Sequence, residues 1–285
     1  MEKLINSYRN DIIKRLNEIT SYWENTLTLG QSMNYTLLNS GKLVRSVLML
    51  LGVNELGLDY KNILDVACAL EMIQSYSLIH DDLPEMDNAT LRRGKTANHL
   101  VYGHSTALLA GDALLTDSFN VLASCNLDSN IKLELIKLFS QKAGSLGVCF
   151  GQELDIINEK IPFEKWEDIE KIICNKTCAL FIVAFKSIGM VTNLNDEKLI
   201  KLERAGYLTG LAFQLQDDLN DTYKSIKDIG KDNLQDLNKN TYHKLFGEEK
   251  TVCKINELMK QTNEILIEIF GNNNNIIKYL KTIIK

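Results

Sequence analysis

Proline is scarce in this sequence, and that scarcity limits its possible folds more than any other feature. Only Pro84 and Pro162 occur among the 285 residues. Because proline disrupts the interior of a helix, so few of them predict an all-α protein. The 45% hydrophobic content supplies enough apolar side chains for a large core. No linker rich in proline or serine divides the sequence, so we predict one large domain over residues 1–285.

The overall charge excludes one large class of partner. The formal net charge is -5, and neither half of the chain is strongly basic. Nucleic acid, which is bound through clustered lysines and arginines, is therefore not an expected partner. The longest apolar stretch, from Ala179 to Phe185, is too short to span a bilayer. The six cysteines are scattered, as free thiols in a reducing cytosol would be. We expect a cytoplasmic protein without a membrane span.

Apolar residues recur at helical spacing along most of the chain and indicate where its helices lie. We predict helices over approximately residues 1–28, 61–83, 107–122, 132–158 and 196–223, with another beginning near Trp166. Three glycines in the fourth of these, Gly144, Gly147 and Gly151, would allow close helix contact near Gln152 and Asp155. Asp112 lies inside an apolar helix, so we expect a buried carboxylate with satisfied hydrogen bonds.

The second of these helices ends in a concentrated acidic run that includes Asp81, Asp82 and Asp87. Carboxylates this close repel one another unless water or a hard divalent cation neutralises them. The apolar residues before them argue against open water, which favours the metal. Asp87 lies about 240° from Asp81 on a regular helix. We therefore expect the helix to loosen near Leu83, before Pro84, so that Asp87 can turn back.

A second acidic run lies 136 positions further on, as the difference between residues 217 and 81 shows. On a helix, Gln214, Asp217, Asp218 and Asp221 fall within a sector of about 100° and can face one point. We expect both runs to converge on one metal cluster. Mg²⁺ prefers oxygen ligands, so we interpret the neighbouring His80 as a hydrogen-bonded structural residue.

Basic residues near the first run suggest a second function. Arg92 and Arg93 are adjacent, and paired guanidinium groups suit phosphate oxygens. Lys42 and Arg45 follow Gly41 and would share one face of the next helix. Taken alone, that second pair is weak evidence, because most such pairs simply lie in solvent.

Together these motifs resemble the trans-isoprenyl diphosphate synthases, the polyprenyl synthetase family, over nearly the whole chain. The match is closest to the bacterial farnesyl diphosphate synthase type. The two acidic runs occur in the family's order, with Arg92-Arg93-Gly94, Gly111-Asp112 and Lys176-Thr177 between them. The resemblance implies a bundle of helices around a central cavity, usually in a homodimer. It also implies Mg²⁺-dependent joining of an allylic diphosphate to isopentenyl diphosphate.

The resemblance further assigns roles to individual residues. Two Mg²⁺ ions would be held by Asp81, Asp82 and Asp87, and a third by Asp217, Asp218 and Asp221. The allylic diphosphate would be bound by Arg92, Lys176 and Lys231, and the diphosphate of isopentenyl diphosphate by Lys42, Arg45, Gln74 and Arg93. The catalytic set would be Lys176, Thr177 and Gln214, with Thr177 and Gln214 facing the developing carbocation. Product length would depend on Tyr76, five positions before Asp81, and on its neighbour Ser77.

The chain also departs from the family's pattern. The usual Gly-Gly-Lys-Arg-x-Arg-Pro is here Ser40-Gly41-Lys42-Leu43-Val44-Arg45-Ser46, so one arginine is replaced by Leu43. The frequent terminal arginine is also missing.

Several functions remain open beside synthesis of a C15 product. One is a C20 product made by the same chemistry, and another is an inert regulatory subunit, which should have lost one acidic run. A helical binding bundle would leave Lys176-Thr177 and Arg92-Arg93 without purpose, and a class I terpene cyclase would not need two anion sites.

Overall fold

The computed structural model describes residues 1–39, 41–227 and 240–285. The predicted all-α class is confirmed, since the described residues form helices and one short hairpin. The chain divides into two compact units, Met1–Lys137 and Leu138–Lys285.

Among the described residues, the first unit contains six complete α-helices and the hairpin. They are α1 (Glu2–Thr20), α2 (Thr28–Leu37), α3 (Val44–Glu55), α4 (Leu64–Asp81), β1 (Leu91–Arg92), β2 (Lys95–Thr96), α5 (Asn98–Tyr102) and α6 (His104–Ser124). Helix α4 is the centre of this unit and packs against α1, α3 and α6. Most of its residues are buried around the whole helix, as expected of a helix that is apolar on every side.

Helix α7 (Ser129–Ala143) crosses the division, and the remaining helices belong to the second unit. They are α8 (Val148–Lys160), α9 (Trp166–Ile173), a π-helical turn (Cys174–Cys178), α10 (Ala179–Val191), α11 (Asp196–Lys227), α12 (Tyr242–Phe246), α13 (Glu248–Phe270) and α14 (Asn275–Ile283). Helix α11 packs along α10 and α13. The core between them includes Ile182, Leu208, Leu215 and Ile255.

One helical run, Trp166–Val191, is long and apolar enough to cross a membrane by length and composition alone. In the folded chain 78% of its apolar window is buried inside the protein. This is the burial of a core helix, packed against protein on most of its surface.

Two predicted helices differ from those observed. The first ends at Thr20 and is followed by a 3₁₀ turn, Ser21–Thr26. The helix predicted over 132–158 is broken between Ala143 and Val148. At Gly147 a Cβ atom would lie 1.9 Å from the carbonyl oxygen of Lys142, so only glycine permits the tight turn that separates α7 from α8.

Candidate active site

The first acidic run adopts the turn that Pro84 predicts. Helix α4 ends at Asp81, two residues before Leu83. The backbone N–H of Asp87 then donates to the carbonyl oxygen of Asp81 at 2.8 Å. The predicted return of Asp87 towards Asp81 is therefore confirmed for the backbone.

Asp82 has a different environment from its neighbours. It is only 2% exposed and accepts two hydrogen bonds from Arg92, one of them from Nε at 2.8 Å. Burial raises the pKa of Asp82, and the adjacent Arg92 guanidinium offsets part of that effect. Asp82 and Arg92 thus neutralise each other in this structure.

The remaining carboxylates of this run have the properties of cation ligands. Asp87 Oδ1 is buried and meets no hydrogen-bond partner among the described residues, while Asp81 is partly exposed beside it. An orphaned buried carboxylate oxygen is costly unless a cation or another donor reaches it. Within the described ranges no three acidic, histidine or cysteine side chains form a ready-made metal cluster. The donors present fit a divalent cation at Asp81 and Asp87, and Asp82 is paired with Arg92.

The Arg92-Arg93 pair lies on the hairpin, and the turn separates the two side chains. Residues Arg93 and Gly94 form a two-residue turn with φ of 54° and 75°, the combination of a type I′ turn. Arg93 Nη1 donates to the carbonyl oxygen of Asn39 at 3.2 Å. A Cβ atom on Gly41 would lie 3.1 Å from Arg93 Nε. Arg93 therefore contacts the loop before α3, while Arg92 binds Asp82.

Glu71 is a site residue that sequence reasoning missed. It is 4% exposed, and Ser46 Oγ lies 2.5 Å from its Oε1. Burial raises the pKa of Glu71, while the Ser46 hydrogen bond and the charges of Arg93 and Arg45 lower it. A single acid inside the apolar run Ala67–Ile73 was the only sequence signal. Buried acids are almost always paired, so an acid inside an apolar run indicates a buried partner.

Two other predicted ligands of isopentenyl diphosphate, Gln74 and Lys42, belong to the same unit as this acid. Gln74 follows Glu71 by three residues on the same helix face, and its Oε1 is buried without a hydrogen-bond partner among the described residues. Lys42 is exposed, and its carbonyl oxygen accepts from Arg9 Nε at 2.9 Å. Arg45, Arg93 and Gln74 thus all belong to the first unit, and the charges of the two arginines act on Glu71.

Leu43 lies between the basic residues Lys42 and Arg45 in the sequence and has a different environment. Its φ is 50°, in the left-handed region, and it is 4% exposed. Its side chain belongs to the core, and the rare backbone conformation is the cost of that orientation. Where the family pattern has an arginine, this chain therefore has a core residue.

In the second unit, Lys176 and Thr177 lie in the π-helical turn, a distortion that often marks functional sites. Gly151 makes this turn possible, because a Cβ atom there would lie 2.2 Å from the backbone nitrogen of Lys176. The expected close helix contact is confirmed at this glycine. Lys176 Nζ donates to Asp155 Oδ2 at 2.6 Å. The π turn was not predictable from the sequence pattern.

Thr177 connects the π turn with the second acidic run. Its hydroxyl donates to Gln214 Oε1 at 2.7 Å, and Gln214 Nε2 donates to Asp218 Oδ1 at 2.9 Å. The predicted common face of α11 is confirmed for this pair, and Asp217 and Asp221 are exposed. Gln152, 7% exposed, has no hydrogen-bond partner for either amide atom among the described residues. It was not predicted as a site residue.

Tyr76 and Ser77, the predicted product-length residues, are both buried in the first unit. The Tyr76 ring stands edge-on to His80, with 5.8 Å between ring centroids. Ser77 Oγ donates within the helix to the carbonyl oxygen of Gln74. His80 Nε2 lies 3.0 Å from the carbonyl oxygen of Leu108, which confirms its expected structural role.

One prediction about a single residue is wrong, and another falls on a residue outside the described ranges. Asp112 was expected to be buried, which is wrong: its side chain is 59% exposed and lies 3.8 Å from His80 Nε2. One face of its helix is exposed to solvent. The high average hydrophobicity of this segment does not show which residues lie on that face. Lys231 lies outside the described residues.

Comparison with known proteins agrees with these motifs. The polyprenyl synthetase family profile matches residues 27–285. A farnesyl diphosphate synthase of Micrococcus luteus is 39% identical over 287 residues, covering 99% of this chain and 96% of that protein. This chain belongs to the polyprenyl synthetase family.

Solved structures that resemble this chain include enzymes of the same kind. The apo FPP/GFPP synthase of Zymomonas mobilis is 30% identical, has a TM-score of 0.87, and is matched over 100% of this chain and 97% of its own. A geranyltransferase from Helicobacter pylori, complexed with magnesium and isoprenyl diphosphate, is 28% identical with a TM-score of 0.78, over 98% and 96% of the two chains.

Proposed function

We propose that this protein is a Mg²⁺-dependent prenyltransferase that condenses isopentenyl diphosphate with dimethylallyl or geranyl diphosphate to give farnesyl diphosphate. What supports this function best is that the first unit contains two groups of residues with different chemistry. One is the carboxylate pair Asp81 and Asp87, which suits a metal-bound diphosphate. The other is the pair Arg45 and Arg93, whose charges both lower the pKa of Glu71 and which suits a diphosphate bound without metal.

The metal would be held by the two acidic runs. Asp81 and Asp87, with Asp82, would bind two Mg²⁺ ions, and Asp217, with Asp218 and Asp221, a third. When bound, the ions supply Lewis-acid stabilisation of the leaving diphosphate. Asp82 would contribute to metal binding only if its carboxylate contacts both Mg²⁺ and Arg92. That both runs serve one cluster, and that it contains three ions, stays a prediction.

The protein's own groups account for the remaining requirements of the reaction. Lys42, Arg45, Gln74 and Arg93 would bind the diphosphate of isopentenyl diphosphate, and Arg92, Lys176 and Lys231 that of the allylic substrate. The allylic carbon–oxygen bond breaks, a carbon–carbon bond forms with isopentenyl diphosphate, and one proton is lost.

Thr177 and Gln214 would lie beside the cation formed in this reaction. The Thr177 hydroxyl donates its proton to Gln214, so its oxygen lone pairs stay available to stabilise positive charge. No side-chain base is required, because the released diphosphate can take the proton. Apolar surroundings must also exclude water, which would otherwise trap the cation as an alcohol.

We propose farnesyl diphosphate as the product because Tyr76 is buried and held against His80. A bulky side chain that cannot move is a suitable floor for a growing prenyl tail. A C20 product made by the same chemistry is the second candidate. An inert regulatory subunit is disfavoured because both acidic runs are complete.

The test is direct. Purified protein is incubated with Mg²⁺, isopentenyl diphosphate and geranyl diphosphate, and the products are dephosphorylated and sized. We expect C15 as the main product, whereas mainly C20 would identify the alternative. Complete inactivity with every allylic substrate from C5 to C15 would contradict the proposed function.

We also propose that the protein is a cytoplasmic homodimer. All six cysteines are free, which suits a reducing compartment. Leu100, Val101, Leu108 and Leu109 on α5 and α6 are each 46–56% exposed, and such an apolar group suits a second copy of the chain. Light scattering should show a dimer that Leu109→Asp weakens. Leu133→Asp, at a similarly exposed leucine on α7, should have no effect.

A further inference from the structure

We infer that Asp155 is a positioning residue, which holds the ammonium group of Lys176 in place for the diphosphate of the allylic substrate. This inference rests on the proposed function, in which Lys176 binds that diphosphate. It gives a role to a carboxylate that lies outside both acidic runs and outside the predicted binding set.

Asp155 and Lys176 are in direct contact. Lys176 Nζ donates to Asp155 Oδ2 at 2.6 Å, and the two charged groups form an ion pair. The Asp155 side chain is 13% exposed and the Lys176 side chain 27%, so the carboxylate is the more deeply buried partner. Breaking a buried ion pair costs more than breaking an exposed one, because one charge stays buried without its partner. The head group of Lys176 is therefore held firmly.

One face of α8 contacts Lys176 at both ends of the residue. Gly151 and Asp155 are four positions apart on α8 and therefore share a face. A Cβ atom on Gly151 would lie 2.2 Å from the backbone nitrogen of Lys176, while Asp155 binds its Nζ. The same helix thus fixes the backbone of this lysine and its charged group.

The next residue of the π turn is held by a different helix. The Thr177 hydroxyl donates to Gln214 Oε1 on α11 at 2.7 Å, so the turn is connected to α8 through Lys176 and to α11 through Thr177. A lysine without such a contact has a long, flexible side chain that must be ordered when substrate binds. The contact with Asp155 provides that order in advance.

The ion pair leaves Lys176 able to bind phosphate. An ammonium group has three N–H donors, and the contact with Asp155 uses one of them. Because the Lys176 side chain is partly exposed, a diphosphate can approach it from solvent. The carboxylate also repels a diphosphate, so we expect its orienting effect to be the larger of the two.

Variants of Asp155 separate its charge from its size, and another ion pair supplies the control. Asp155→Asn removes the charge and keeps the shape, whereas Asp155→Glu keeps the charge on a longer side chain. Glu203→Gln is the matched control, because Lys186 Nζ also donates to Glu203 Oε2 at 2.6 Å and the Lys186 side chain is 25% exposed. KM for each substrate, kcat, and calorimetric binding of geranyl diphosphate with Mg²⁺ are measured for each folded variant.

We expect Asp155→Asn to raise KM and Kd for geranyl diphosphate about tenfold, because Lys176 must then be ordered during binding. KM for isopentenyl diphosphate should change less than about twofold. Asp155→Glu should cause a smaller increase for geranyl diphosphate alone, and Glu203→Gln none for either substrate. In a Lys176→Met background, Asp155→Asn should change Kd less than about twofold, because the acid acts through that lysine.

Unchanged or tighter binding of geranyl diphosphate by Asp155→Asn would overturn the inference, as would equal losses for both substrates. A full effect of Asp155→Asn in the Lys176→Met background would also overturn it. If Asp155→Asn does not fold, Asp155→Glu and the Glu203→Gln control decide the question. A wild-type protein that binds geranyl diphosphate but forms no product would contradict the proposed function, while the binding data would still test Asp155.

Discussion

The backbone N–H of Asp87 donates to the carbonyl oxygen of Asp81 at 2.8 Å and closes a turn at the end of α4. This bond brings Asp87 back towards Asp81. A continued helix would place Asp87 about 240° round from Asp81, almost on the opposite side. Asp81 and Asp87 thereby belong to one turn, and Asp87 Oδ1 is buried beside it without a partner among the described residues. The turn gives the first acidic run the geometry of a ligand pair.

Removal of either carboxylate of this pair should abolish most of the activity. We expect Asp81→Ala and Asp87→Ala each to lower kcat by at least about 100-fold, because stabilisation of the leaving diphosphate depends on them. EDTA should stop turnover by the wild-type protein. Product formation and circular dichroism are measured together, with the surface variant Glu134→Ala as the control. A rate within threefold of wild type would contradict the assignment.

The Asp82–Arg92 pair should affect stability as well as activity. Arg92→Ala leaves a carboxylate that is 2% exposed without its guanidinium. We expect the free energy of unfolding in urea to fall by about 2 kcal/mol, since a buried charge loses its partner. Lys137→Ala, which breaks an exposed ion pair with Glu134, should cost less than about 1 kcal/mol. Equal losses would show that Asp82 is well hydrated.

Glu71 should make stability depend on pH in a defined direction. Burial raises its pKa above the ordinary 4.5, so the native protein keeps the proton to higher pH than the unfolded chain. The stabilisation from this group is complete below pH 4.5 and is lost as pH rises through the native pKa. The wild type minus Glu71→Gln difference in unfolding free energy should therefore decrease from pH 4.5 towards neutrality. A difference that grows with pH would refute the raised pKa.

Tyr76 should limit product length. Tyr76→Ala removes a buried ring, and the space left should accept a longer prenyl tail. We expect products of C20 or beyond from Tyr76→Ala, measured by chromatography of the dephosphorylated alcohols. Tyr76→Phe keeps the ring and should still give C15. If both variants release only C15, the floor lies elsewhere in the protein.

Local rules of the chain predicted much of this protein. The scarcity of proline predicted the all-α class, and Pro84 predicted the end of α4, because each follows from backbone geometry alone. The spacing of Gln214 and Asp218 placed them on one helix face for the same reason. The order of the acidic and basic motifs was sufficient to recognise the family.

Tertiary packing decided the remaining features. The π turn at Lys176 and Thr177 depends on the approach of α8 at Gly151. The burial of Leu43 and the exposure of Asp112 depend on what surrounds each side chain. The pairing of Ser46 with Glu71 joins residues 25 positions apart. A sequence pattern records the period of a single helix, whereas these contacts depend on which helices meet and how closely, and only the folded chain specifies that.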